Sequence, residues 1–260
     1  MVEGVARILA VANQKGGVAK TTTVVNLAAA LVERGARVLA VDLDAQACAT
    51  FSLGLDPEDL ELTGADAFMG REPNRPVSEL IVRTDDGVDL LPAAIDLAGA
   101  DRALAGVMGR EYVVRDALAP LAGQYDWILL DCSPSLGIIT INALTAAHAV
   151  MVPLQCETLS HRGVGQLMET IVDVQRLTNP DLQILGLVPT LFDGRTTHAK
   201  AVLADLGPRY GVRVFSPISR SIRFAEAPAA GRSILATLSA SKGANEYRVL
   251  ALEVIEAWQN

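Results

Sequence analysis

The sequence predicts an α/β fold, a mostly parallel twisted sheet with helices on both faces, built as a single domain over residues 1–260. Three observations predict it. Arg7–Ala12 (RILAVA), Arg37–Leu43 (RVLAVDL) and Tyr125–Asp131 (YDWILLD) are largely apolar without alternation, as strands buried on both faces are. Segments with apolar residues at helical spacing alternate with these runs. A glycine-rich turn separates the first run from the first helix.

The elements follow in order. After the strand Arg7–Ala12 and the turn comes a helix with Val24, Leu27, Ala28 and Leu31 on one face, ended by Gly35. The strand Arg37–Leu43 closes at Asp44. Residues 55–112 are less regular; short helices alternate there with weak strands at Leu80–Arg83 and Val88–Pro92. Tyr125–Asp131, Ala147–Pro153 and Leu182–Pro189 are strands, with helical segments near 138–146 and 161–178 between them. A last strand is expected near Arg213–Phe215. The final helix sets Tyr247, Leu250, Ala251, Val254, Ile255 and Trp258 on one face. No repeat, low-complexity tract or linker divides the chain.

Composition narrows the function classes. Half of the residues are hydrophobic, enough for a substantial core, yet no run is long enough to span a bilayer. Residues 1–7 lack the basic start and cleavage site of a signal peptide, so the expected compartment is the cytoplasm. Cys48, Cys132 and Cys156 stand alone, which leaves zinc and iron–sulfur chemistry without support and makes packing the expected role of Cys132. The net charge of -8 by itself argues against nucleic-acid binding. Between Arg195 and Arg232, however, seven residues are basic and two acidic.

Lys15-Gly16-Gly17-Val18-Ala19-Lys20-Thr21-Thr22 follows a strand and opens a helix. Gly16 and Gly17 let the backbone turn tightly and bring N–H groups to phosphate oxygens. The helix start aims free N–H groups and the positive end of its dipole at the same anion. In such a loop Lys20 neutralises the β- and γ-phosphates, and the Thr21 hydroxyl binds Mg²⁺. Ala19 stands where the common pattern has glycine, which is tolerable if that residue already has helical φ and ψ. Asp42 and Asp44 sit two apart at a strand's C-terminal end, on the side of the ligand crevice. Asp131 ends four apolar residues, a costly position for a carboxylate unless it meets a cation.

Asn13–Thr23 (NQKGGVAKTTT) resembles the deviant Walker A loop of the ParA/Soj family, with MinD as a cousin. The resemblance covers nearly the whole chain and implies a P-loop NTPase domain that uses ATP and Mg²⁺. It implies that Lys15 reaches the phosphates of a partner subunit's ATP, so that ATP drives a homodimer. It identifies Asp44 as the acid acting on the attacking water and Asp131 as the Walker B acid, holding Mg²⁺ through water. Asp42 either supports the metal's water shell or caps the strand end. Gln155 and Glu157 match family positions, whereas His161 and Arg162 depart from them and are expected at a dimer face or a helix N-terminus. Asp193 and Arg195 match a turn held by an ion pair or a dimer contact. Ile218–Pro228 (ISRSIRFAEAP) matches the adenine segment, with Ser219 and Ser221 replacing the usual Pro and Asn and Pro217 standing nearby.

Arg220 and Arg223 match basic positions where the family holds DNA without sequence specificity. The implied partners are nonspecific DNA, which would associate the chain with the nucleoid, and a ParB-like activator. The first strand begins too early to leave room for a helix-turn-helix before it. The last helix carries Glu246, Glu253 and Glu256 against Arg248, unlike the basic tail of MinD, so no membrane partner is expected. A positioning ATPase for a protein cargo and a nucleotide-gated scaffold with negligible hydrolysis are the alternatives.

Overall fold

A computed structural model describes residues 5–69, 76–157 and 160–259, with the backbone alone for residues 160–162. Seven strands form one sheet: β1 (Arg7–Val11), β2 (Val38–Leu43), β3 (Val82–Arg83), β4 (Asp89–Leu91), β5 (Trp127–Cys132), β6 (Ala149–Gln155) and β7 (Gln183–Thr190). Their order is β3-β4-β2-β5-β1-β6-β7, parallel throughout except for the pair β3–β4. The helix after β1 packs on one face of the sheet and the helix that carries the chain from β5 past β1 to β6 packs on the other, so a crevice opens at the C-terminal ends of the central strands.

The alternation of residues within each strand divides the core in two. Ile8, Ala10, Leu39, Val41, Ile128 and Leu130 face one layer. It includes α3 (Gly64–Phe68), α4 (Ala100–Leu104), α5 (Val113–Leu118), α6 (Ile138–Ala146), α7 (Ser160–Leu177) and α8 (Thr197–Tyr210). Leu9, Val11, Val38, Ala40, Trp127 and Leu129 face the other. It holds α1 (Lys20–Glu33), α2 (Cys48–Ser52), α10 (Ile234–Thr237) and α11 (Lys242–Gln259), with α9 (Arg223–Glu226) at its margin. Trp258 closes the end of that layer edge-on to Trp127, with ring centres 5.1 Å apart. These are the two apolar faces expected of a parallel sheet.

Two expectations are corrected. The weak strand at Leu80–Arg83 splits into a 3₁₀ turn, Val77–Leu80, and β3, which runs antiparallel as an edge strand. The strand expected at Arg213–Phe215 contracts to a single bridge between Leu187 and Val214. The ladder stops there for a plain reason. The Ser216 N–H donates to Glu253 of α11, not to β7, and Pro217 has no N–H to offer.

Candidate nucleotide site

The turn between β1 and α1 is stitched to its neighbours at three points. The Asn13 amide donates to the Pro153 carbonyl (2.7 Å) and its oxygen accepts from the Lys15 N–H (3.0 Å). The Gln155 amide donates to the Gly17 carbonyl (3.1 Å). The Thr190 hydroxyl donates to the Val18 carbonyl (2.9 Å). A Cβ built on Gly16 or Gly17 would meet nothing within 4 Å, so no other part of the described chain packs against the loop at these two positions. No side chain caps α1, which leaves its first N–H groups available to an anion.

Ala19 corrects the sequence reading. Its φ of 63° and ψ of 36° are left-handed, not right-handed helical. The Ala19 carbonyl must turn to accept both the N–H and the hydroxyl of Thr23 (2.9 and 2.7 Å), and the loop imposes this at about 1–2 kcal/mol.

Lys20 is buried, and its ammonium donates to the Lys15 carbonyl (3.2 Å). Burial lowers its pKa, opposed by the nearby charges of Asp131, Cys132 and Asp44. Lys15 is held within its own chain: its ammonium bonds Gln155 Oε1 and Glu157 Oε2, both at 3.0 Å.

Asp131 is wholly buried, and neither carboxylate oxygen has a hydrogen-bond partner among the described residues. Burial and the adjacent Asp42 raise its pKa well above the carboxylate range; the Thr21 hydroxyl, near the carboxylate but outside hydrogen-bond geometry, and the Lys20 charge pull the other way. Asp42 lies opposite it on β2 and is satisfied by three donors: the Thr50 N–H (2.8 Å), the Thr50 hydroxyl (2.7 Å) and the Asp44 N–H (3.1 Å). Its carboxyl is nonetheless pushed up to about 6, mainly by burial. The capping alternative therefore describes the contacts that Asp42 makes here. Asp44 lies just beyond β2, half-buried, and accepts the Gln46 N–H (3.0 Å).

No cluster of three or more His, Cys, Asp and Glu side chains with metal-site geometry occurs among the described residues. Mg²⁺ does not need one. It keeps several waters and takes one or two protein oxygens together with the substrate's phosphates. The orphaned Asp131 carboxylate beside Thr21 fits that requirement. Cys132 packs in β5, its thiol pushed above its ordinary pKa by burial, as expected of a structural cysteine.

At the crevice margin, Ile218 donates to the Pro189 carbonyl (2.8 Å) and Arg220 to the Phe192 carbonyl (3.1 Å), which ties residues 217–221 to the end of β7. Pro217 is half-buried; Ser219 gives its N–H and hydroxyl to Glu246; the Ser221 hydroxyl accepts the Arg223 N–H (3.3 Å). Asp193 and Arg195 form the expected local ion pair, at 2.8 and 2.9 Å. The side chains of His161 and Arg162 lie outside the described residues; their backbone is in the first turn of α7. The sequence reading missed Thr50 and Thr190. The only mark of either was a hydroxyl residue amid apolar neighbours.

The basic stretch contracts in three dimensions. Arg195, Arg209, Arg223 and Arg232 pair with Asp193, Asp205, Glu226 and Asp86. No ion pair ties Lys200, Arg213 or Arg220 among the described residues, although the Arg220 charge helps Arg195 to hold the Asp193 carboxyl down.

Residues 6–184 match the family described as AAA domain. The chain is 41% identical over 254 residues to the chromosome partitioning protein ParA of Myxococcus xanthus (strain DK1622), spanning 97% of this chain and 89% of that protein. The chain belongs to the ParA/Soj family. To another member, the sporulation initiation inhibitor protein Soj of Bacillus subtilis (strain 168), it is 41% identical over 95% of this chain and 98% of that one. Among solved structures, one described as cobyrinic acid a,c-diamide synthase from Mycobacterium smegmatis, with bound ATP analog and magnesium, superposes with a TM-score of 0.87. It is 52% identical and covers 98% of this chain and 97% of that one. The cell division ATPase MinD of Pyrococcus furiosus superposes with a TM-score of 0.78 at 26% identity, over 96% of this chain and 99% of that one. The ParA/Soj family thus shares this P-loop fold with proteins named for different tasks.

Two outcomes are expected. Ala19→Gly relieves the left-handed strain but loosens the unfolded chain, for a net gain of about 0.5–1 kcal/mol in urea unfolding. Asp131→Asn raises the stability of the nucleotide-free protein at pH 7 by about 1–2 kcal/mol and abolishes magnesium-dependent hydrolysis. That gain shrinks as pH falls, because the native carboxyl is then already protonated. The same sign holds for Asp42: a carboxyl raised to about 6 favours the folded state below its ordinary value of 3.8, and its contribution is lost as pH rises through 6. Urea unfolding of wild type and Asp131→Asn from pH 4 to 7 checks both directions.

Proposed function

We propose that this chain is a partition ATPase that binds Mg-ATP, dimerises on it, binds DNA without sequence specificity as a dimer, and hydrolyses the nucleotide when a ParB-like partner engages it. The observation that carries the reading is the buried, unpartnered Asp131 carboxylate beneath an uncapped glycine loop with Lys20 and Thr21 at its rim.

The residues divide the work. The backbone of Gly16–Thr22 and the α1 terminus cradle the phosphates. Lys20 faces the β- and γ-phosphates, and its burial makes it a donor that an anion stabilises. Thr21 and Asp131 hold Mg²⁺, with Asp42 fixing the strand end beside them. The metal, when bound, neutralises charge on the phosphate oxygens. Asp44 orients the attacking water in line with the scissile bond. Lys15 supplies the missing charge from the second subunit, so a lone chain turns over slowly. Pro217, Ser219 and Ser221 line the adenine end, supported by the bonds that tie residues 217–221 to β7 and, through Thr190, to the phosphate loop.

Lys200, Arg213 and Arg220 are the cations most available to DNA phosphates; Arg223 joins them by leaving an exposed ion pair worth little in water. Association with the nucleoid follows from that binding. No helix among the described residues is long and apolar enough to cross a membrane.

The similarity to a structure named for amide synthesis supports a second reading, in which the same site activates an acidic acceptor instead of water. Phosphate release from ATP with DNA and no acceptor present favours hydrolysis over that reading.

Lys15→Ala is expected to bind ATP and remain monomeric, and Asp44→Ala to bind ATP and dimerise with phosphate release down by at least ~100-fold. Sedimentation and phosphate assays check both; ATP-dependent dimers of Lys15→Ala sink the shared-site reading. Arg220→Ala lowers the slope of log affinity against log salt for DNA by about 1 for each phosphate that Arg220 neutralises. An unchanged slope removes Arg220 from the DNA face.

A further inference from the structure

Between the bridge at Val214 and α9 the chain runs along α11 and is pinned to it twice. Ser216 gives its N–H to Glu253 Oε2 (3.0 Å) and its hydroxyl to Oε1 (2.6 Å). Ser219 repeats the pattern on Glu246, with its N–H on Oε2 (2.9 Å) and its hydroxyl on Oε1 (2.7 Å). The Lys242 ammonium donates to the Ser219 hydroxyl (2.9 Å) and lies 3.5 Å from Glu246. The spacings agree. Seven residues of helix separate the two glutamates, a rise of about 10 Å. Three residues of extended chain separate the two serines, also about 10 Å. Pro217 lies between the pins, and Ile218 turns inward, 2% exposed, onto the Pro189 carbonyl.

The same helix is fixed to the phosphate end of the site. Tyr247, next to Glu246, is buried against α1, and its hydroxyl lies 3.5 Å from that of Thr23. Arg248 bonds Glu33 at the other end of α1 (2.7 and 2.9 Å). One rigid helix therefore sets the distance between the phosphate loop and residues 216–221. Ser219 can take part because it has an N–H and a hydroxyl. A proline there has neither and would leave Glu246 without this partner.

We infer that Glu246 and Glu253 are positioning residues for nucleotide-base recognition, holding Pro217–Ser221 at a fixed distance from the phosphate cradle. The inference rests on the reading that this segment faces the base. The glutamates act through the serines and do not touch the nucleotide. Their loss should therefore weaken binding of the base and leave binding of the phosphates as it was.

The test is equilibrium binding of the full chain, with magnesium, to ATP, GTP and tripolyphosphate. Glu246→Ala is expected to weaken ATP ~10-fold and to erode the ATP-over-GTP preference by a similar factor, since two charge-assisted hydrogen bonds disappear. Tripolyphosphate affinity stays within about two-fold, because the P-loop is untouched. Glu246→Gln and Ser219→Ala, each sparing part of the clamp, fall between wild type and Glu246→Ala and provide the measurement if Glu246→Ala does not fold. Wild-type ATP affinity in all three variants overturns the inference, as does an equal loss of ATP and tripolyphosphate, which marks a merely structural role. If wild type itself binds ATP no better than tripolyphosphate, the base reading has failed and the positioning role falls with it. A wild-type preference that survives the variants sinks the clamp alone.

Discussion

A carboxylate with no partner, buried at the centre of a parallel sheet, is the constraint around which this molecule is organised. Asp131 sits in β5 between Val11 of β1 and Asp42 of β2, and neither of its oxygens is satisfied. Burying such a group uncompensated costs several kcal/mol and forces the proton on or a cation in. Every neighbouring feature answers that charge. Lys20 is buried against its field, Thr21 stands at the start of α1, and Asp42 is held off by three donors that keep a second carboxylate in place. The fold tolerates an electrostatic deficit that a metal–phosphate ligand relieves, so ligand affinity and apo stability pull in opposite directions.

Backbone strain gathers at the same edge. Ala19, Ala47 and Leu191 are the described non-glycine residues with positive φ, at 63°, 50° and 51°. They follow β1, β2 and β7, so all three lie beyond the C-terminal ends of strands, where the crevice opens. Each costs on the order of 1–3 kcal/mol and persists because its surroundings demand it. For Ala19 the demand is the carbonyl that starts α1; for Ala47 it is the turn that returns its N–H to the Asp44 carbonyl (2.8 Å). Two of the three, Ala19 and Ala47, stand beside Lys20 and Asp44, the side chains whose placement aligns phosphate and water in the proposed reaction.

Much of this was legible in the chain. Strands apolar on both faces announce themselves by composition, and a lysine–threonine pair after paired glycines reads as a phosphate cradle because few other purposes need those residues in that order. The hidden parts depend on partners distant in sequence. The left-handed conformation of Ala19 is imposed by hydrogen bonding around the loop, and nothing in its own identity reports it. The strand expected at Arg213–Phe215 has the right residues, but its ladder is interrupted by Glu253, 37 positions away from Ser216. Thr50 could not be joined to Asp42 from spacing alone, since a turn intervenes and Thr50 lies inside the short helix α2 that follows it.

Charge shows the same limit, with a consequence for partner binding. Counted along the chain, residues 195–232 are strongly basic; folded, four of those seven cations meet carboxylates, two of them (Asp193 and Asp86) from outside the stretch. An arginine that leaves a carboxylate for a phosphate also leaves that carboxylate facing the polyanion, so its net contribution is smaller than that of Lys200, Arg213 or Arg220. Three such cations on a chain of net charge -8 make a weak attraction for DNA. In the proposed dimer, two sets borne on one rigid body would share a single loss of translational freedom, and their contributions would multiply. On the proposed function, a nucleotide that controlled dimerisation would control DNA binding without touching the basic surface, and the coupling would need no conformational signal between the two sites.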